Sequence, residues 1–148
     1  MNSTDDHYTY VVRPGVPDVG TFRSLRRAAG MSDRSAEAVA QGLPHTWHGV
    51  VVEAAPQDDP AAGRIVGMGR IVGDGGACFQ IVDVCVLPEH QGRGLGTRIM
   101  AELTGELERR APATAYVSLI ADGDAHRLYA RFGFTGTAPR SIGMHRTV

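Results

Sequence analysis

At 148 residues, with 43% hydrophobic and 21% charged residues, the chain has the size and composition of one soluble globular domain. A formal net charge of −1 with no basic block argues against nucleic acid as a partner, and no apolar run approaches the roughly 20 residues of a membrane span. The polar, acidic N-terminus is not a signal-peptide pattern, so the expected location is the cytoplasm.

Residues 1–7 read as a flexible polar tail and residues 8–148 as the domain. Tyr8 to Arg13 is a strand pattern ended by Pro14-Gly15. Asp18 is placed to cap a helix whose stripe is Val19, Phe22, Leu25 and Ala29, closed by Gly30. Ser32 or Asp33 is expected to cap a second short helix carrying Ala36, Val39 and Ala40, and the charges between these stripes read as an outer face. Leu43 to Thr46 is a loop. Trp47 to Ala54, Arg64 to Val72 and Ala77 to Leu87 then form a three-strand meander, with Gly73 to Gly76 as its second turn. Gly67 and Gly69 weaken the middle strand and predict a bend or a close backbone approach. Cys78 and Cys85 lie seven residues apart on one extended run, too far for a disulfide, and are expected to be buried free thiols.

A helix with Leu95, Ile99, Leu103 and Leu107 on one face follows the third meander strand. Between them stands the glycine-rich turn Gln91-Gly92-Arg93-Gly94-Leu95-Gly96-Thr97. The first N–H groups of such a helix have no internal partner, and its dipole adds about half a positive charge there. The turn therefore suits a phosphate or pyrophosphate, with Arg93 as an added cation. It is not a P-loop, because no lysine precedes Thr97, and it lacks the third glycine of a dinucleotide fingerprint. Ala115 to Ile120 is a further strand, and Asp122-Gly123-Asp124 is expected to cap a short helix ended by Gly133. A last strand is expected between Phe134 and Val148. The order β, α, α, three antiparallel β, α, β, α, β implies an α/β or α+β fold with a mixed sheet.

The run Val86-Leu87-Pro88-Glu89-His90-Gln91-Gly92-Arg93-Gly94-Leu95-Gly96 resembles the coenzyme A loop of the GNAT superfamily of N-acetyltransferases. Downstream, Tyr129-Ala130-Arg131-Phe132-Gly133-Phe134 is similar to the family's Tyr-x-x-x-Gly-Phe signature. The resemblance implies a single-domain GNAT fold whose mostly antiparallel sheet is flanked by helices. It also implies a V-shaped splay between the strand before the loop and the strand after its helix. Acetyl-CoA is the implied co-substrate. Its pantetheine arm would pair with backbone groups of Val84, Cys85 and Val86, and its pyrophosphate would sit on Gln91, Gly92, Arg93, Gly94, Leu95, Gly96 and Thr97. The acceptor would approach over the N-terminal helices and the loop around Pro44 to Trp47.

Acetyl transfer to an amine needs an oxyanion donor, a route for the amine proton and an acid for the leaving thiolate. Tyr129 matches the family tyrosine that faces the thioester sulfur. Some members carry a glutamate eleven residues before the loop glutamine, where this chain has Gln80. Asp83 is the nearest acid and serves either as the base or as a structural partner of Arg70; His45, His48, Glu53, His126 and water are alternatives. Cys85 reads as a small core residue rather than a nucleophile, since transfer in the family is direct. Where the family has an asparagine after the strand, this chain has Asp122-Gly123. The histidines do not cluster, so no metal site is read. The expected activity is acetyl-CoA-dependent acetylation of a primary amine on a small molecule or protein. The alternatives are a non-catalytic coenzyme A-binding module and a transferase of larger acyl groups. A homodimer through Ile142 to Val148 is a further expectation.

Overall fold

The computed structural model describes residues 7–148. Among these, five strands form one sheet in chain order: β1 (Tyr8–Pro14), β2 (His48–Pro56), β3 (Arg64–Gly73), β4 (Cys78–Val86) and β5 (Tyr116–Leu119). The first four are antiparallel neighbours, and β5 lies parallel to β4. The helices are α1 (Val19–Ala28), α2 (Ala36–Gly42), α3 (Leu95–Arg110) and α4 (Ala125–Ala130). No helix among the described residues is long and apolar enough to cross a membrane.

The sheet has a helix on each face. A Cβ at Gly69 would stand 2.7 Å from Ile99 and 3.0 Å from Leu103 of α3, while the next residue, Arg70, places its guanidinium over the Phe22 ring of α1. Successive strand residues point to opposite faces, so α1 and α3 cover opposite sides. Gly69 is thus the close approach expected of the middle strand. Burial on both sides gives a core of Phe22 and Leu25 from α1, Val50, Val52, Met68, Ile71, Phe79 and Ile81 from the sheet, and Ile99, Met100 and Leu103 from α3.

Local chemistry sets the element ends. Asp18 accepts the Thr21 N–H at 2.8 Å and caps α1, and Gly30 follows its C-terminus at φ 79°. Asp74 Oδ1 accepts the N–H groups of Gly76, Ala77 and Cys78 in the β3–β4 turn.

Two departures from regular pairing shape the sheet. Opposite β3, pairing passes from Met68↔Cys85 to Arg70↔Val82, so Asp83 and Val84 together face Gly69. This is a bulge, and Asp83 sits in it at φ 60°. Parallel pairing of β4 with β5 runs from Cys78↔Tyr116 to Ile81↔Leu119, where β5 ends while β4 continues to Val86. The splay implied by the family resemblance is therefore present, and it begins next to the bulge.

Several local expectations are corrected. Ser35, not Ser32 or Asp33, caps α2 through the Ala38 N–H, because the Ser32 hydroxyl is engaged by Arg34 and the Asp33 carboxylate by Arg23. Asp124 occupies the N-cap position of α4 but makes no side-chain capping bond. Cys78 is exposed, since it opens β4 at the end of the sheet; Cys85 is buried. Arg26, read with the outer face of α1, is buried. No strand forms after Phe134 among the described residues: Ile142 and Met144 alternate as strand residues do, but they stay exposed without a backbone partner. His7 is joined to the fold through its carbonyl, which accepts the Gln57 N–H at 2.9 Å, and the rest of the expected tail, residues 1–6, lies outside the described residues.

Gly69→Ala is expected to lower stability by about 1–3 kcal/mol, because Ile99 is β-branched and fully buried and cannot swing aside. A denaturant midpoint unchanged from wild type would refute this packing role.

Candidate active site

The glycine-rich turn begins where β4 stops. Pro88–His90 forms one 3-10 turn, and Gln91 donates its side-chain amide back to the Val86 carbonyl at 3.0 Å. Gly92 and Gly94 then take φ 78° and 75°, a left-handed backbone that side chains disfavour. Gly94 is the N-cap of α3 and gives it no side-chain cap, so the leading N–H groups of a 16-residue helix face outward. A Cβ at Gly92 or Gly94 would meet nothing within 4 Å, which leaves open space above the turn. These features fit an anionic group such as a pyrophosphate. Gly96 has another role: a Cβ there would stand 3.3 Å from Leu128, so its absence lets α4 close on α3. Thr97 Oγ1 accepts from Arg131 at 2.9 Å, a second tie between the two helices and a second cation beside the turn.

Tyr8, Tyr10 and His90, to which sequence reading gave no role, support this turn and its Arg93. Arg93 donates to the Tyr10 hydroxyl and stacks over the Tyr8 and Tyr10 rings at 6.0 and 5.9 Å. The Tyr10 hydroxyl also meets His90 Nδ1 at 2.8 Å. His90 is only 1% exposed, and burial holds its pKa below the usual value, so it is neutral at neutral pH. With Arg93 donating to the Tyr10 oxygen, the hydroxyl proton goes to Nδ1 and His90 carries its own proton on Nε2. That nitrogen is buried and has no hydrogen-bond partner among the described residues. The Tyr8-x-Tyr10 spacing put both rings on one strand face, but nothing local said that the face meets residues 80 positions on.

At the bulge, Asp83 accepts from Arg26 Nη1 on one oxygen and from Arg70 Nε on the other at 2.8 Å. Arg26 also donates to the Ser32 carbonyl, and Arg70 to Thr46 Oγ1 at 2.7 Å. All three charged side chains are largely buried. Of the two roles open to Asp83, the pairing with Arg70 is present and is extended by Arg26, so both carboxylate oxygens are bonded to guanidinium groups.

Tyr129 lies on α4, half-buried, facing Asp122 and Cys85. Burial first, then the electrostatic influence of Asp122 and Cys85, pushes its phenol above the ordinary value of 10.0, so it keeps its proton at neutral pH. Burial pushes the Cys85 thiol up to about 12, with Asp83 adding and Arg26 opposing. At neutral pH it is a thiol rather than the more nucleophilic thiolate.

A cavity of ≈ 190 Å³ lies between α1, α2 and the bulge. Phe22, Ala38, Val39, Gly42 and Leu43 give it apolar walls, and Arg34, Arg70 and Asp83 give it charge. His45, His48, Glu53 and His126 do not line it. Glu53 is paired with Arg13, His126 bonds the Gly123 carbonyl, and His48 faces the charges of α3, with burial depressing its pKa. No group of three or more His, Cys, Asp or Glu residues among the described residues could hold a metal ion.

The sequence profile of the acetyltransferase (GNAT) domain matches residues 46–136. The chain is similar to serotonin N-acetyltransferase 2, chloroplastic, of Oryza sativa subsp. japonica, at 31% identity over 79% of this chain and 56% of that protein. It is also similar to an uncharacterized ycf52-like N-acetyltransferase of Prochlorococcus marinus, at 30% identity over 90% of this chain and 72% of the other. The chain thus spans little more than half the length of the Oryza protein. A crystal structure of a probable acetyltransferase of unknown function from meticillin-resistant Staphylococcus aureus matches with TM-score 0.85 and 38% identity, covering 95% of this chain and 100% of that one.

Asp83→Asn removes the charge that two buried guanidinium groups share. It is expected to cost about 3–5 kcal/mol of stability, the usual loss on breaking a buried pair. If a melting curve of the variant matched wild type while turnover collapsed, the anchoring role would give way to a catalytic one.

Proposed function

The chain belongs to the GNAT acetyltransferase family, and from that premise we propose that it transfers the acetyl group of acetyl-CoA directly to a primary amine of a small molecule or protein. The observation that carries this reading is the separation of β4 from β5 beyond Ile81 and Leu119, on the same strand that runs into the phosphate turn. Val84, Cys85 and Val86 have no β5 neighbour there, so their backbone groups suit a pantetheine arm that pairs as an added strand. Gln91 through Thr97 suit the pyrophosphate.

Acetyl-CoA supplies an acyl group activated by a thiol leaving group. A β4 backbone N–H beside the bulge would stabilise the charge growing on the carbonyl oxygen. Tyr129 would give its proton to the sulfur as the C–S bond breaks and the N–C bond forms. The amine proton would pass to solvent, because Asp83 is held in ion pairs and Gln80 cannot accept a proton. The products are an N-acetylated amine and free coenzyme A.

The exposed Ile142, Met144 and Val148 support a homodimer through the C-terminal segment. Light scattering should then give twice the chain mass of 15.8 kDa, and a single mass at high concentration would overturn the dimer.

Tyr129→Phe keeps the ring and loses only the hydroxyl. Turnover is expected to fall by roughly 100- to 10,000-fold, with coenzyme A affinity little changed. Because the Tyr129 pKa is raised above 10.0, the acid form persists through neutral pH and is lost only above that value. The wild-type rate should therefore show no Tyr129-dependent decline until pH passes about 10. A variant that retains half the wild-type rate would leave Tyr129 a packing residue.

A further inference from the structure

We propose that the cavity beside the bulge selects acceptor amines that carry a carboxylate and an apolar body, as a hydrophobic amino acid does. This rests on the acetyl-transfer reading and names which amine it serves. At ≈ 190 Å³ the cavity is below the roughly 300–1,000 Å³ of drug-sized sites and suits a small metabolite. Phe22, Val39 and Leu43 line it with side chains already withdrawn from water, so an apolar group placed there gains burial at little ordering cost.

The charges supply the second half. Asp83 is balanced by Arg26 and Arg70 together, which leaves that trio with net positive charge. Arg34 adds another cation at the rim. Its Nη1 donates to neutral oxygens, Ser32 Oγ at 2.8 Å and the Asp33 carbonyl at 3.0 Å, while the Asp33 carboxylate is paired with Arg23 and Arg27. Nε and Nη2 of Arg34, and Nη2 of Arg70, donate to no acceptor among the described residues. Two guanidinium groups with spare donors line a cavity whose other walls are apolar apart from the already paired Asp83, and they suit a carboxylate, which accepts two parallel N–H bonds from such a fork. The amine end of the same molecule would then lie toward the point where β4 parts from β5, the side of the cavity that Asp83 lines. An amine without an anionic group would leave the Arg34 and Arg70 donors unused.

The test compares matched acceptors with acetyl-CoA, read by thiol release: L-phenylalanine against phenethylamine, and L-leucine against 3-methylbutylamine. Each amino acid is expected to exceed its partner in kcat/KM by about 10-fold or more, the scale of one charge-assisted hydrogen bond. Arg34 is exposed, so Arg34→Gln should fold as wild type by its melting curve. That variant is expected to bring the ratio toward one, and Arg34→Lys to restore part of it. The change in ratio also cancels the difference in basicity within each pair. A wild-type preference for the decarboxylated amines, or a ratio that Arg34→Gln leaves unmoved, overturns the proposal and spares the acetyl-transfer reading. Acetylation of other amines but none of these four has the same effect. Binding of coenzyme A with no thiol release from any amine overturns both.

Discussion

Asp83 sits at the point where β4 must serve two neighbours that diverge. Its carboxylate joins α1 through Arg26 and β3 through Arg70, and its left-handed backbone makes the bulge that turns Val84 to Val86 away from the line of β5. A buried carboxylate between two guanidinium groups is a poor source of net stability but a costly arrangement to break. It therefore acts as a latch. Any alternative register of β3 and β4 would leave one or more of these charges buried and unmatched.

The rest of the site inherits its geometry from that latch. Because β5 stops at Leu119, the far half of β4 has a free side, and because β4 keeps going it delivers Gln91 and the two left-handed glycines to the start of α3. α3 is fixed over the sheet by the contact of Ile99 and Leu103 with Gly69, the residue directly opposite the bulge. The helix terminus, the free strand edge and the Tyr129 phenol on α4 are consequently arranged around one short segment of backbone. α4 is brought in by Leu128, which packs where Gly96 has no side chain.

The buried polar groups divide between anchoring and function. His90 and Tyr10 tie β1 to the turn, and burial keeps His90 neutral, so this link adds no charge next to an anion site beyond that of Arg93. Cys85 is held as a thiol and Tyr129 as a phenol by the same physical cause, desolvation of the charged form. The first argues against Cys85 as a covalent carrier in the proposed reaction. The second keeps Tyr129 in the acid form that the proposed reaction requires.

What the sequence determined by itself was whatever depends on neighbours along the chain. The strand–turn–helix around Gln91 to Thr97 was legible because its signal is local: glycines for a left-handed backbone, an apolar strand before it and a 3.6-residue stripe after it. The meander, the Asp18 cap and the close approach at Gly69 were legible for the same reason, and the resemblance to the family supplied the splay and Tyr129. Only the tertiary structure decided the rest. Arg26 looked like one more cation in the run Arg23, Arg26, Arg27, and its burial depends on a carboxylate 57 residues away. No last strand forms among the described residues although Ile142 and Met144 alternate correctly, because that segment pairs with neither edge strand, β1 or β5. Ser35 displaced Ser32 and Asp33 as a cap because the Ser32 hydroxyl was taken by Arg34 and the Asp33 carboxylate by Arg23. Pattern fixes which face a residue can show, but hydrogen bonds and burial over long sequence separations decide what that face meets.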